Sequence, residues 1–224
     1  MYLSWDEKRV TDFSDKNIAF MYERGYVFTR KGKGVMQQTR SLRVDLRKFT
    51  LSSENKRVLK RVEGFEINAD SLPLENYSWK IGKLAKDFYD KFSKRTFSTN
   101  KIKELLTDKN KSNFNAFLSY SENSLGVSDS KLGYAICYAG EDFLHYSYPF
   151  YFLAPDTPKD MGLGMMTMAV MLSQEQADKY CYLGSASRPS DTYKLQFSGL
   201  EWFDGRTWKS DYAELKTILK NERV

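Results

Sequence analysis

Apolar positions in this chain alternate between a helical and a strand period, and the switches mark its elements. Over Ser14–Arg24, Ile18, Met21 and Tyr22 share one face, with Ser14 or Asp15 as cap and Gly25 as stop. The period then drops to two. Tyr26–Arg30 and Val35–Thr39 read as strands around the turn Lys31-Gly32-Lys33-Gly34. Leu42, Val44 and Leu46 alternate with Arg43, Asp45 and Arg47, as in a strand with one buried and one charged face. Ser52 or Ser53 opens a basic helix over Glu54–Val62, and Asn68–Trp79, broken by Pro73, predicts a loop or linker. Ile81, Leu84, Ala85, Phe88 and Phe92 return at helical spacing over Lys80–Lys94. Thr99 or Asn100 starts a short helix to Leu106, and Asn113–Tyr120 predicts a further helical turn or two. Leu132–Ala139 and Phe143–Leu153 pattern as an antiparallel hairpin around Gly140-Glu141-Asp142, and Asp211 or Ser210 caps a last helix, Tyr212–Asn221.

The stretch from Tyr148 to Trp208 organises the rest. The aromatic run Tyr148–Leu153 leads into a loop ending in Gly162-Leu163-Gly164, then a helical pattern over Met165–Asp178 and a short apolar run, Tyr180–Leu183. Strand, glycine loop, helix and strand predict a crossover unit with two parallel strands. Pro149 cannot donate to a ladder, so a bulge or splay is expected beside it, opening the kind of crevice that ligands of α/β sheets occupy. Two glycines at a helix start suit an anion, and Tyr193 and Lys194 follow where they could face the crevice.

Composition narrows the partner. The first 111 residues carry 25 Lys and Arg against 15 Asp and Glu, whereas the remainder carry 10 against 14. Twelve basic residues and two acidic ones fall within Arg24–Arg61, a field that attracts polyanions. With 41% hydrophobic and 15% aromatic residues the chain can supply a core, so disorder is excluded as a description of the whole. No apolar run approaches the roughly 20 residues that span a bilayer, and the start lacks a basic-then-apolar leader, so a soluble, cytoplasmic, monomeric protein is expected. Cys137 and Cys181 fall in strand patterns and read as buried core. The lone His145 reads as a strand residue rather than a catalyst.

The crossover unit followed by Tyr193 resembles the Gcn5-related acyltransferase fold. Two longer stretches resemble arginyl-tRNA–protein transferases. One comprises Tyr182-Leu183-Gly184, Tyr193-Lys194-Leu195-Gln196-Phe197 and Asp204-Gly205-Arg206-Thr207-Trp208; the other comprises Arg24-Gly25-Tyr26, Arg43-Val44-Asp45-Leu46-Arg47-Lys48-Phe49 and Ser53–Arg61. The resemblance implies an α/β (α+β) fold of two acyltransferase-like lobes, mixed sheets flanked by helices, divided near residue 111. It implies an aminoacyl-tRNA donor, arginyl first, and a protein or peptide N-terminus as acceptor. Carried over, Tyr193 and Lys194 would be catalytic, and Gly162, Leu163 and Gly164 would receive the end of the donor. Asp191, Gln196, Trp202 and Asp204 would recognise donor groups, with Trp202 or Trp208 stacking on the terminal adenine; the other reading makes Asp191 and Asp204 caps or turn residues and both tryptophans apolar core. Arg30, Arg40, Arg43, Arg47, Lys56, Arg57, Lys60 and Arg61 would meet tRNA phosphates. The family's cysteine cluster is absent here, where the chain reads Met1-Tyr2-Leu3-Ser4-Trp5 and Val35-Met36-Gln37-Gln38-Thr39, so no metal site and no resident cofactor are expected. The glycines alone suit coenzyme A equally, which leaves an acetyl-coenzyme A-dependent N-acetyltransferase open. A non-catalytic RNA- or peptide-binding relative also stays open.

Overall fold

The computed structural model describes residues 3–92, 96–122, 131–155 and 157–221; Met1, Tyr2 and Lys94, the expected end of one helix, lie outside them. Eleven strands and six α-helices follow one another among the described residues. The first half holds β1 (Asp6–Arg9), α1 (Asp15–Glu23), β2 (Tyr26–Phe28), β3 (Val35–Gln38), β4 (Ser41–Asp45), α2 (Ser53–Arg61), β5 (Phe65–Ser71), α3 (Trp79–Asp90) and α4 (Thr99–Thr107). The second holds β6 (Ala116–Glu122), β7 (Lys131–Ala139), β8 (Phe143–Tyr151), α5 (Met161–Glu175), β9 (Tyr180–Ser185), a 3-10 helix (Pro189–Gln196), β10 (Leu200–Phe203), β11 (Trp208–Lys209) and α6 (Tyr212–Asn221). A small sheet runs β1-β3-β2, and a mixed eight-stranded sheet runs β11-β10-β4-β9-β8-β7-β6-β5. The expected α+β architecture of two sheets flanked by helices is what forms. Because β4 pairs with both β9 and β10, residues from either side of position 111 share one sheet and one core.

Local chemistry explains most boundaries. Ser52 caps α2 by accepting the Asn55 N–H at 3.1 Å, and Asn55 answers to the Ser52 N–H, a reciprocal capping box. Gly25 ends α1 in the left-handed region (φ 77°), where a side chain is strained. The large sheet separates two apolar clusters. Met161, Met165 and Met166 of α5 pack with Val58 and Val62 of α2 on one face; α1, α3 and α4 cover the other through Tyr22, Phe88 and Leu105.

Three expectations fail, the first two because the strands are buried on both sides. Asn113–Tyr120 is not helical; it contains the start of β6, where Phe117 enters one cluster and Leu118 the other, which erases the period of two. β4 has no charged outer face, because β9 and β10 flank it and all five of its residues are buried. Gly162-Leu163-Gly164 is not a loop but the first turn of α5. The Asn68–Trp79 loop also begins with the end of β5, an edge strand whose polar residues face outward.

Gly164 serves the packing of α5 on α2. A Cβ there would lie 2.8 Å from Cγ1 of Val62 and 3.6 Å from Val58. Gly164→Val is therefore expected to force the two helices apart, costing about 1–3 kcal/mol in chemical denaturation.

Candidate functional site: the parting of β8 and β9

The crossover forms as the pattern predicts. β8 and β9 run parallel, with Phe143, Leu144 and His145 opposite Tyr180, Cys181 and Tyr182. Beyond His145 and Tyr182 the pairing stops, although β8 continues to Tyr151 and β9 to Ser185. The β7–β8 register shifts between Ile136 and Cys137, so Ser147 bulges two residues before Pro149. Bulge and parting together open a crevice between parallel strands.

Lys194 fills the base of that crevice. The 3-10 helix turns its side chain inward, only 9% exposed, and the ammonium donates to the carbonyls of Leu183 and Ser185, each at 2.9 Å. Two carbonyls that lost strand partners are thus satisfied by a cation. Burial pushes the Lys194 pKa down, and the nearby Asp191 carboxylate opposes that shift. Asp191 is itself buried and held by the backbone N–H groups of Ser187 and Arg188 at 2.9 and 3.1 Å, and by the Arg188 guanidinium at 2.9 Å.

Tyr193 precedes Lys194 on the 3-10 helix, its ring centre 6.0 Å from the Lys194 Nζ. It keeps 40% of its surface exposed. Its pKa is nevertheless raised, first by burial of the hydroxyl and then by the Asp191 carboxylate. Its phenol therefore stays protonated at neutral pH. Tyr193 and Lys194 are thus neighbours, Lys194 buried against the end of β9 and Tyr193 partly exposed beside it.

The glycines do not join them as a phosphate cradle. The N–H groups of Leu163 and Gly164 bond to the Asp160 carbonyl at 2.9 Å, and that of Met161 to Pro158 at 3.1 Å. Asp160 precedes the helix in a left-handed conformation (φ 68°), and its carboxylate meets Arg61 at 2.7 Å and Arg57 at 3.0 Å. An acid thus occupies the ground where an incoming anion would need a cation. Asp160 was visible in the sequence as the polar residue before an apolar helical run; its pairing with α2, a hundred residues earlier, was not.

The other expected donor residues scatter. Trp202 is fully buried, its indole N–H bonded to the Asp211 carbonyl at 3.0 Å, so it offers no face to an adenine. Trp208 lies against the Arg43 guanidinium, 4.0 Å from the ring centre. Asp204 closes a turn by accepting the N–H groups of Arg206 and Thr207 at 2.8 Å. Gln196 is half-buried at the end of the 3-10 helix, away from solvent.

The basic residues divide too. Arg43 is buried between Glu23 and Glu201, and Arg40 is buried against the Ala186 carbonyl. Arg30 lies over the Phe97 ring and donates to the Thr96 carbonyl. These three are structural and are removed from the expected phosphate-binding set. Arg47 is exposed but grips Asp45 through two bonds of 2.8 Å. Lys56, Arg57, Lys60 and Arg61 remain as an exposed basic face on α2.

No protein-family model and no curated protein matches the sequence. Some solved structures are distantly similar to this chain. L-PGS from Bacillus licheniformis is 14% identical with a TM-score of 0.44, over 76% of this chain and 52% of that one. FemX is 7% identical at 0.44, over 80% and 61%. A Gcn5-related glucosamine N-acetyltransferase region of a fungal multi-domain β-N-acetylglucosaminidase is 10% identical at 0.49, over 90% and 23%. This chain thus spans about half the length of the Bacillus protein. At these scores the likeness decides nothing about substrate. No helix among the described residues is long and apolar enough to cross a membrane.

Proposed function

We propose that this protein is an aminoacyltransferase that moves an amino acid, arginine in the first instance, from an aminoacyl-tRNA to the amine of a protein or peptide N-terminus. The observation that carries the proposal is the parting of β8 from β9 beside the buried Lys194 ammonium, with the partly exposed Tyr193 ring 6.0 Å from it. The ordered sequence resemblance described above supports the same reading, and so does the exposed basic face of α2.

The chemistry asked of the site is modest. The donor ester is already activated, so aligning a neutral amine on its carbonyl can supply roughly 7–11 kcal/mol of the barrier. The carbon–nitrogen bond forms, the bond to the ribose oxygen breaks, and one amine proton is lost to solvent. Tyr193, kept protonated by its raised pKa, gives the leaving oxygen its proton and is reprotonated afterwards. The Lys194 ammonium supplies fixed positive charge beside the developing alkoxide.

Incubation with radiolabelled arginyl-tRNA and peptides of varied N-terminus, at low salt, tests the reading; absence of transfer from every charged tRNA would sink it. Tyr193→Phe should lower kcat by about 10²–10⁴-fold with an unchanged melting temperature. Reversing Lys56 and Lys60 to Glu should weaken tRNA binding and reduce the salt slope by about 0.7–0.9 for each phosphate no longer neutralised. Coenzyme A is disfavoured because Asp160 stands at the α5 start and Gly164 lies under Val62. Saturable coenzyme A binding would reverse that preference.

A further inference from the structure

A cleft of about 660 Å³ opens between α3, the β5–β6–β7 end of the large sheet and the chain leading into α5. It is separate from the crevice: neither Tyr193 nor Lys194 lines it. Its floor is apolar, made by Phe65, Ile81, Leu84 and Leu132. Phe152 stands at its entrance with 51% of its surface exposed, directly after the last residue of β8. The charged walls differ. Lys80 lies on the α3 side and Lys131 at the start of β7, whereas Glu63 and Glu122 lie together on the β5 side, since Glu122 pairs with Phe65 across the ladder. Among the described residues neither carboxylate forms an ion pair, whereas the cleft's Arg61 is taken by Asp160.

We propose that this cleft holds the extended segment of the acceptor that follows its N-terminal amine, with a large apolar side chain on the floor and a basic side chain against Glu63 and Glu122. The inference rests on the crevice being the transfer site. The geometry sets the spacing. From the β8 side of the crevice to β5 are three strand intervals, β8 to β7 to β6 to β5, or roughly 14 Å at about 4.8 Å each. An extended peptide covers that in about four residues. With its amine in the crevice, it brings its third or fourth residue over the floor and its fifth to the two carboxylates.

Fluorescence anisotropy with labelled hexapeptides, without tRNA, tests this directly. Peptides with Leu or Phe at position three or four and Lys or Arg at five should bind about tenfold or more tightly than the same peptides with Asp at both places. Glu63→Lys with Glu122→Lys should reverse the preference at position five, and Phe152→Ala should weaken every apolar anchor. All three positions are exposed or rim residues, so the fold should persist, as circular dichroism checks. Equal binding of all peptides overturns the proposal, as does displacement of the peptide by a CCA trinucleotide. Sequence-selective binding without transfer from any charged tRNA would keep the cleft and reject the aminoacyltransferase reading. Transfer with one KM for all peptides would do the opposite.

Discussion

Lys194→Met is expected to lower transfer by about 100-fold or more while costing the fold comparatively little. Fixed charge beside a developing oxyanion is worth roughly 2.7–4 kcal/mol, and methionine keeps the volume without the charge. Stability responds to two opposed changes. The carbonyls of Leu183 and Ser185 lose their donor, at about 1–3 kcal/mol for each group left unsatisfied. Against that, the cost of burying an ammonium disappears. The sign of the second effect can be checked by titration. The folded pKa of Lys194 lies below the unfolded 10.5, so between the two the unfolded chain binds more protons and stability rises with pH. The wild-type protein should therefore gain stability across that alkaline window, and Lys194→Met should lack the gain. Lys194→Arg should not restore transfer, because a guanidinium fork is too large for a floor closed by two carbonyls at 2.9 Å. If Lys194→Met instead turned over at the wild-type rate, Lys194 would be a strand clamp and no more.

How far the sequence disclosed this site depends on how local each contribution is. The crossover was legible because two apolar runs and the helix between them are contiguous, and Pro149 announced an irregularity two residues from the bulge at Ser147. The start of the last helix was legible, since Asp211 caps it and Leu215 and Leu219 share a buried face. What stayed hidden needs partners far along the chain. Gly164 looks like an anion loop until Val62 of α2 is seen 2.8 Å from the place of its missing Cβ. Arg43 looks like a phosphate ligand until Glu23 and Glu201 close on it from α1 and β10. That Tyr193 and Lys194 sit side by side on one short helix was legible; that Lys194 is buried on the Leu183 and Ser185 carbonyls while Tyr193 stays partly exposed was not.

Acid should destabilise the protein in a window set by His145. The imidazole is fully buried in β8, its Nδ1 at 2.9 Å from the Tyr22 hydroxyl. That hydroxyl already accepts the Phe28 N–H, which leaves its own proton for Nδ1 and keeps the ring neutral. Burial first, and the Lys194 ammonium second, push the His145 pKa down from 6.5 to about 3. Below pH 6.5 the unfolded chain takes up a proton that the folded chain refuses, so stability falls as pH falls and the loss is complete near pH 3. At ~1.4 kcal/mol per unit the full loss is roughly 5 kcal/mol, of which roughly 2 falls between pH 6.5 and 4.5. That upper part is separable from the carboxylates. Glu7 and Glu54, held below their usual 4.5, and Asp45, held well below the carboxylate range by Arg47, lose their contributions at lower pH still. Asp178, whose carboxyl burial raises, works against the trend. Urea denaturation at half-unit intervals should therefore show a slope between pH 4.5 and 6.5 that His145→Asn removes, since asparagine offers Tyr22 an acceptor and cannot take a proton. A slope unchanged by that substitution would assign the acid sensitivity to other groups and leave His145 as packing alone.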